Sequence, residues 1–171
     1  MRVSLFEIAE REEQTVQMAL SAGEIGVSLP EQIGQVESVE DVVLDFDRAW
    51  PHRISLHTRG RAKVSIPCSR CLKDVEMTLP FAGEETFFEA EGVWSGDSED
   101  PTSTLSDGFL DVDELLLGQL LLEIPSKVLC RKDCKGLCPV CGQDLNVAEC
   151  GCNRFVPDPR MQRLLDVFSE N

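Results

Sequence analysis

A chain of 171 residues and 19.0 kDa suits one domain or two small ones, and a hydrophobic content of 42% excludes wholesale disorder. No run reaches the roughly 18–20 apolar residues of a membrane span; the best, LLLGQLLLEI (115–124), holds Gln119 and Glu123. Glu7, Glu10, Glu12 and Glu13 argue against a signal peptide, so a cytoplasmic protein is expected, and a net charge of −15 excludes a simple electrostatic coat for nucleic acid over the whole chain.

The N-terminal half reads mostly as strand. RVSLFEI (2–8), TVQMAL (15–20) and DVVLDF (41–46) are rich in β-branched and apolar residues. GEIGVSLPEQIGQ (23–35) is ambiguous, a loop with room for a short helical turn. HRISLHT (52–58), KVSIP (63–67) and DVEMTLPF (74–81) alternate apolar and polar residues. CSRC (68–71) joins the last two as a hairpin with a cysteine tip. Residues 91–108 are dense in Gly, Ser, Asp and Glu around Pro101 and read as a linker or long loop. A helix follows, capped by Asp111 with Glu114 three residues on and ended by Pro125. Its apolar residues are too many for one stripe, so it is expected to be buried against the sheet. PDPRMQRLLDVF (157–168) reads as a final helix, with Asp158 as cap, Pro159 at its first position and Met161, Leu164, Leu165 and Phe168 on one face.

The expected fold class is therefore α+β: a mainly antiparallel sheet, a buried helix, a C-terminal zinc-bound cysteine segment and a terminal helix. The expected organisation is a mainly β region over 1–90 with the CxxC hairpin, an acidic linker or loop over 91–108, and the helix, cysteine segment and terminal helix over 109–171.

The eight cysteines carry the sharpest chemical signal. They form four pairs, Cys68/Cys71, Cys130/Cys134, Cys138/Cys141 and Cys150/Cys152, at spacings that argue for metal rather than disulfides in a cytosolic protein. Zinc takes four ligands in a tetrahedron, and closely spaced thiolates supply them. Three residues between Cys134 and Cys138 are too few to fold one knuckle onto another. Eight between Cys141 and Cys150 are enough. One site is thus assigned to Cys138, Cys141, Cys150 and Cys152. The second takes Cys68, Cys71, Cys130 and Cys134, stapling the hairpin to the segment after the helix. One or two structural Zn2+ ions are expected. Both sites are filled by cysteine and leave no open position for hydrolysis.

Charge is distributed in blocks. Residues 1–47 carry −9, residues 48–73 carry +7 with no acid, residues 74–126 carry −14 with no base, and residues 127–171 carry +1. Arg59, Arg61 and Lys63 alternate and project from one strand face. With Arg70 and Lys73 they make a candidate phosphate-binding ridge; the competing reading is neutralisation by neighbouring strands, with residues 74–91 as the source of acid. Only Trp50 is at hand for base stacking, so base-specific readout has no support. The acidic segment 84–114 suits docking to a very basic protein. His52 and His57 read as ordinary strand or surface histidines because cysteine saturates the metal sites. Asp111 with Asp113, and Glu84 with Glu85, read as cap and solvated face; no catalytic constellation is present, and the chain is not expected to be an enzyme.

PCSRCLKDVE (67–76), LLLEIPSKVLCRKDCKGLCPVCGQDLN (120–146), ECGC (149–152) and DPR (158–160) with the closing helix resemble the YceD family, the large ribosomal RNA subunit accumulation proteins of bacteria and plastids. The resemblance implies a role in accumulation or processing of large-subunit ribosomal RNA and a link to the gene neighbourhood of a large-subunit ribosomal protein. The expected partners are then large-subunit ribosomal RNA precursor, a basic large-subunit ribosomal protein, or both, with no membrane and no small-molecule substrate. The rival from another class is a redox-regulated zinc-thiolate chaperone, to which the CxxC and CxC pairs bear a weak likeness. A thiol oxidoreductase using Cys68 and Cys71 is disfavoured, because those cysteines do not precede a helix in a βαβ unit.

Overall fold

The structure, a computed structural model, describes residues 1–49, 52–96 and 104–153. Five antiparallel strands form its main sheet in the order β2-β3-β4-β5-β6: β2 is Thr15–Leu20, β3 Gln35–Ala49, β4 Arg53–Pro67, β5 Asp74–Ala90 and β6 Val93–Gly96. A smaller sheet, β1-β8-β7, joins Arg2–Ser4, Phe109–Asp111 and Leu105–Ser106. Among the described residues two α-helices complete the α+β fold, α1 at Leu5–Glu10 and α2 at Val112–Glu123.

Alternation along the strands sets the two faces of the main sheet. Leu44 and Phe46 of β3, Ile54, Leu56, Ala62 and Val64 of β4, and Leu79, Phe81 and Phe87 of β5 are buried on one face. They share a core with Leu5 and Ile8 of α1 and with Val112, Leu115, Leu116 and Leu120 of α2. Asp111 caps α2 by accepting from the Glu114 N–H at 3.4 Å. Leu122, on the opposite side of the helix, is 86% exposed.

Three sequence expectations change. Residues 5–8 leave the expected first strand: Ser4 accepts from the Glu7 N–H at 3.3 Å and starts α1, because Leu5 and Ile8, three apart, bury together on a helix. The expected strands 52–58 and 63–67 are one strand, β4. Its inner face continues through Thr58, Gly60 and Ala62, small residues that do not read as strand, since the Phe81 ring lies where a Gly60 side chain would be, 2.5 Å from an added Cβ. Within 91–108, β6 and β7 carry sheet structure; residues 97–103 lie outside the described residues, as does the expected helix 157–168.

Candidate metal centres

The β4–β5 hairpin turns through Cys68–Lys73. The Cys68 N–H donates to the Lys73 carbonyl at 2.8 Å and the Leu72 N–H returns to the Cys68 carbonyl at 3.0 Å. The same closure recurs at Cys138–Gln143, with Cys138 N–H to Gln143 carbonyl at 2.8 Å and Gly142 N–H to Cys138 carbonyl at 2.9 Å. Each loop holds two sulfurs on one side and points backbone N–H groups at the first of them. The fifth residue is left-handed in both, Leu72 at φ 59° and Gly142 at φ 73°.

The chain after α2 is tied back against the first knuckle. Ser69 N–H donates to the Val128 carbonyl at 2.8 Å, Val128 N–H to Ser69 Oγ at 3.1 Å, and Arg70 Nη1 to the Cys134 carbonyl at 2.6 Å. Cys130 and Cys134 are thereby carried to Cys68 and Cys71. Separations are 3.5 Å from Cys71 Sγ to Cys130 Sγ and 3.9 Å from Cys68 Sγ to Cys134 Sγ. Zn–S bonds of about 2.3 Å in a tetrahedron put sulfurs about 3.8 Å apart, whereas a disulfide needs about 2.05 Å. All four sulfurs lie within 4.8 Å of one another, and so do those of Cys138, Cys141, Cys150 and Cys152. These are the two groups of four expected from spacing.

The donor chemistry fits a thiophilic divalent ion in both places. Backbone N–H groups of Arg70 and then Cys130 pull the Cys68 thiol down to about 6, and those of Cys141 and Val140 do the same for Cys138, also about 6. The Cys71 thiol beside it pushes Cys130 up to about 12, and Cys141 pushes Cys152 up to about 12. Backbone N–H groups thus favour the thiolate at the knuckle's leading cysteine in each tetrad, and a cation would have to displace the protons that raised thiols such as Cys130 and Cys152 retain. Four sulfurs would complete a tetrahedron, so a metal ion held by either group would have no position left for water, and the role such a set could supply is structural.

Two side chains that spacing arguments passed over fasten the centres together. Asn146 Nδ2 lies 3.5 Å from Cys134 Sγ, while its Oδ1 accepts from Lys135 N–H and Arg131 Nη2, both at 2.8 Å. Asp144 takes the Asn146 N–H at 2.9 Å and pairs with Lys73 Nζ at 2.8 Å. Lys73 first, then that N–H, hold the Asp144 carboxyl down at about 2. Their only sequence signal is their place in GQDLN, just past the second knuckle. Gly136, at φ 79°, lets the chain pass so close to Arg70 that an added Cβ would stand 2.9 Å from the Arg70 carbonyl oxygen.

The expected basic ridge lies on the exposed face of β4, and its cations are partnered. Arg59 pairs with Asp45 at 2.9 Å, Arg61 with Asp41, and Lys63 with Glu40 at 2.8 Å. The neutralising acids come from β3, not from residues 74–91. Arg70 is spent on the Cys134 carbonyl and Lys73 on Asp144. His52 meets Glu89, and His57 lies 3.7 Å from Asp47, so neither sits with the cysteines.

No solved structure matches the chain. Among curated proteins, uncharacterized proteins of Mycobacterium bovis and of Mycobacterium tuberculosis are each 32% identical over 102 residues, 59% of this chain and 49% of theirs. One of Mycobacterium leprae is 30% identical over 105 residues, 60% of this chain and 47% of its own. The chain therefore spans about half the length of the curated relatives it matches. Residues 56–168, which start within β4 and take in both cysteine tetrads, match the family described as large ribosomal RNA subunit accumulation protein YceD, and the chain belongs to that family.

Proposed function

We propose that this chain is a non-catalytic cytoplasmic factor in the accumulation of large-subunit ribosomal RNA, held in shape by two structural zinc ions and acting mainly through a basic large-subunit ribosomal protein. The observation that carries the reading is that the family match covers the very residues that converge on two closed thiol tetrads. The choice of a protein over bare RNA rests on the ridge: Arg59, Arg61, Lys63, Arg70 and Lys73 each have an internal partner, while the chain as a whole carries −15. Direct RNA contact through that ridge would have to displace three ion pairs first.

The test is affinity purification from growing cells with and without ribonuclease. One basic ribosomal protein that stays bound after ribonuclease is the expected result. Precursor large-subunit RNA and early ribosomal proteins that vanish together would return the ridge to prominence, and replacing Arg59, Arg61 and Lys63 with Glu should then abolish association while zinc content stays the same. Oxidised unfolded clients with no ribosomal material would overturn both readings and favour the redox-regulated chaperone.

A further inference from the structure

β5 is a long strand with a short neighbour. It runs from Asp74 to Ala90, but β6 pairs only with Phe87–Ala90. From Asp74 to Glu84 the side of β5 away from β4 has no strand partner among the described residues. In an antiparallel pair, successive residues turn their N–H and C=O alternately toward and away from a given neighbour. The Lys73 carbonyl accepts from Cys68, and the Glu89 N–H donates to the His52 carbonyl, so odd-numbered residues face β4. Asp74, Glu76, Thr78, Ala82 and Glu84 therefore turn their backbone groups to the open edge. Pro80 falls in the same set and has no N–H to give, which is how natural edge strands are interrupted. What remains at the cysteine end is a continuous edge, Asp74–Thr78.

That stretch is also negatively charged without compensation. Asp74 and Glu76 are exposed and form no ion pair among the described residues; Lys63, which lines the same recess as Glu76, is held by Glu40 of β3, and Lys73 by Asp144. A recess of about 330 Å³, lined by Glu37, Lys63, Glu76, Met77 and Thr78, opens beside them. A second copy of this chain would set acids against acids along the same edge, and like charges directly opposite are destabilising.

We propose that the Asp74–Thr78 edge of β5 takes up an extended Lys/Arg-rich segment of a partner protein as an added strand. Main-chain hydrogen bonds to Glu76 and Thr78 hold the segment, and its cationic side chains stand beside Asp74, Glu76 and the recess. This deepens the protein-partner reading above and rests on it.

The test uses the full zinc-loaded chain and an acetylated octapeptide of alternating Lys and Val. Expected results are saturable binding that weakens with salt, slowed amide exchange at Glu76 and Thr78, and at least a tenfold loss of affinity in Thr78→Pro. That substitution repeats the chain's own device at Pro80 and leaves the β4 ladder intact. Charge reversal by Asp74→Lys with Glu76→Lys should lose binding too, and it reads the same edge if the proline variant fails to fold. Equal binding by a fully backbone-N-methylated peptide would overturn the proposal, since charge alone would suffice. So would concentration-dependent dimerisation that protects the same amides without peptide. Ribosomal association that persists in cells in the Thr78→Pro variant sinks the edge and spares the function; peptide uptake at the edge with no ribosomal material recovered does the reverse.

Discussion

Cys68–Lys73 and Cys138–Gln143 close the same hydrogen-bonded loop, yet the tetrads built on them differ in what they join. Cys68, Cys71 and Cys134 are buried at the end of the β4–β5 hairpin, and the partner of Cys71 is 59 residues away in sequence. In the second tetrad Cys141 is exposed, Cys150 and Cys152 are half-buried, and all four ligands fall within 138–152. One knuckle pins a distant segment to the sheet; the other clasps its own loop. Closing the longer loop removes more disorder from the unfolded chain, by on the order of 1–2 kcal/mol from the logarithm of the loop lengths.

The largest expected effect comes from breaking the long-range staple. Cys134→Ser should lower metal content from two ions per chain to one and drop the thermal midpoint by about 10 °C or more, because structural zinc couples directly to folding. A midpoint within about 2 °C of the parent would mean the sheet end stands without metal. Cys152→Ser should also cost one ion, but move the midpoint by less than about 4 °C, since only a local loop opens. A chelator titration sharpens the contrast: the first ion released should come from the second tetrad, which has one buried cysteine where the first has three, and simultaneous release would show that Asp144 and Asn146 couple the two centres into one.

How much of this was legible in the sequence follows the same division. Short loop lengths group Cys138 and Cys141 with Cys150 and Cys152 directly, and Cys68, Cys71, Cys130 and Cys134 then fall together as the remaining four. The groups that fasten them, Asp144 and Asn146, act through geometry made by Gly136 and Arg70, which no spacing rule encodes. The ridge is a matter of register. Arg59 and Arg61 face Ala82 and Pro80 on β5, both neutral, so their acids come from β3. Block charge along the sequence could not say which neighbour would answer. β4 reads as two strands for a packing reason: Thr58, Gly60 and Ala62 are small because Gln119 and Phe81 occupy the space above them. Residues 5–8 mislead because Val3 and Leu5 alternate as in a strand, whereas Leu5 and Ile8, three apart, share a face only on the helix that Ser4 caps.

A smaller effect is expected at the end of the sheet that α2 holds in place of sulfur. Gln119 is buried between α2 and the sheet, so close that a Gly83 Cβ would stand 2.2 Å from its Nε2. Thr58 Oγ1 donates to Gln119 Oε1 at 2.6 Å, but Nε2 is buried with no hydrogen-bond partner among the described residues. Gln119→Met keeps the volume and removes the orphan donor, and Thr58 Oγ1 still reaches the Gly83 carbonyl at 3.2 Å. Stability should rise by about 1 kcal/mol, read as a higher denaturant midpoint at unchanged slope. A loss instead would show that the polar contact positions α2 on the sheet.

The smallest and cleanest comparison is between the fifth residues of the two knuckles. Leu72 is 66% exposed at φ 59°, and Gly142 stands at φ 73° with nothing within 4 Å of an added Cβ. Packing therefore contributes little at either position, and a swap reads backbone strain. A non-glycine residue in the left-handed region costs roughly 1–2 kcal/mol, while glycine returns about 0.5–1 kcal/mol of that through its freer unfolded chain. Leu72→Gly should raise stability by less than about 1 kcal/mol, and Gly142→Leu should lower it by a similar amount. The effect at residue 142 should stay local, visible as faster exchange of the Cys138–Gln143 amides, whereas any gain at residue 72 should appear in the global unfolding transition. Equal spread of both effects would show that the two centres are one cooperative unit, and the distinction between staple and clasp would then hold for topology but not for energy.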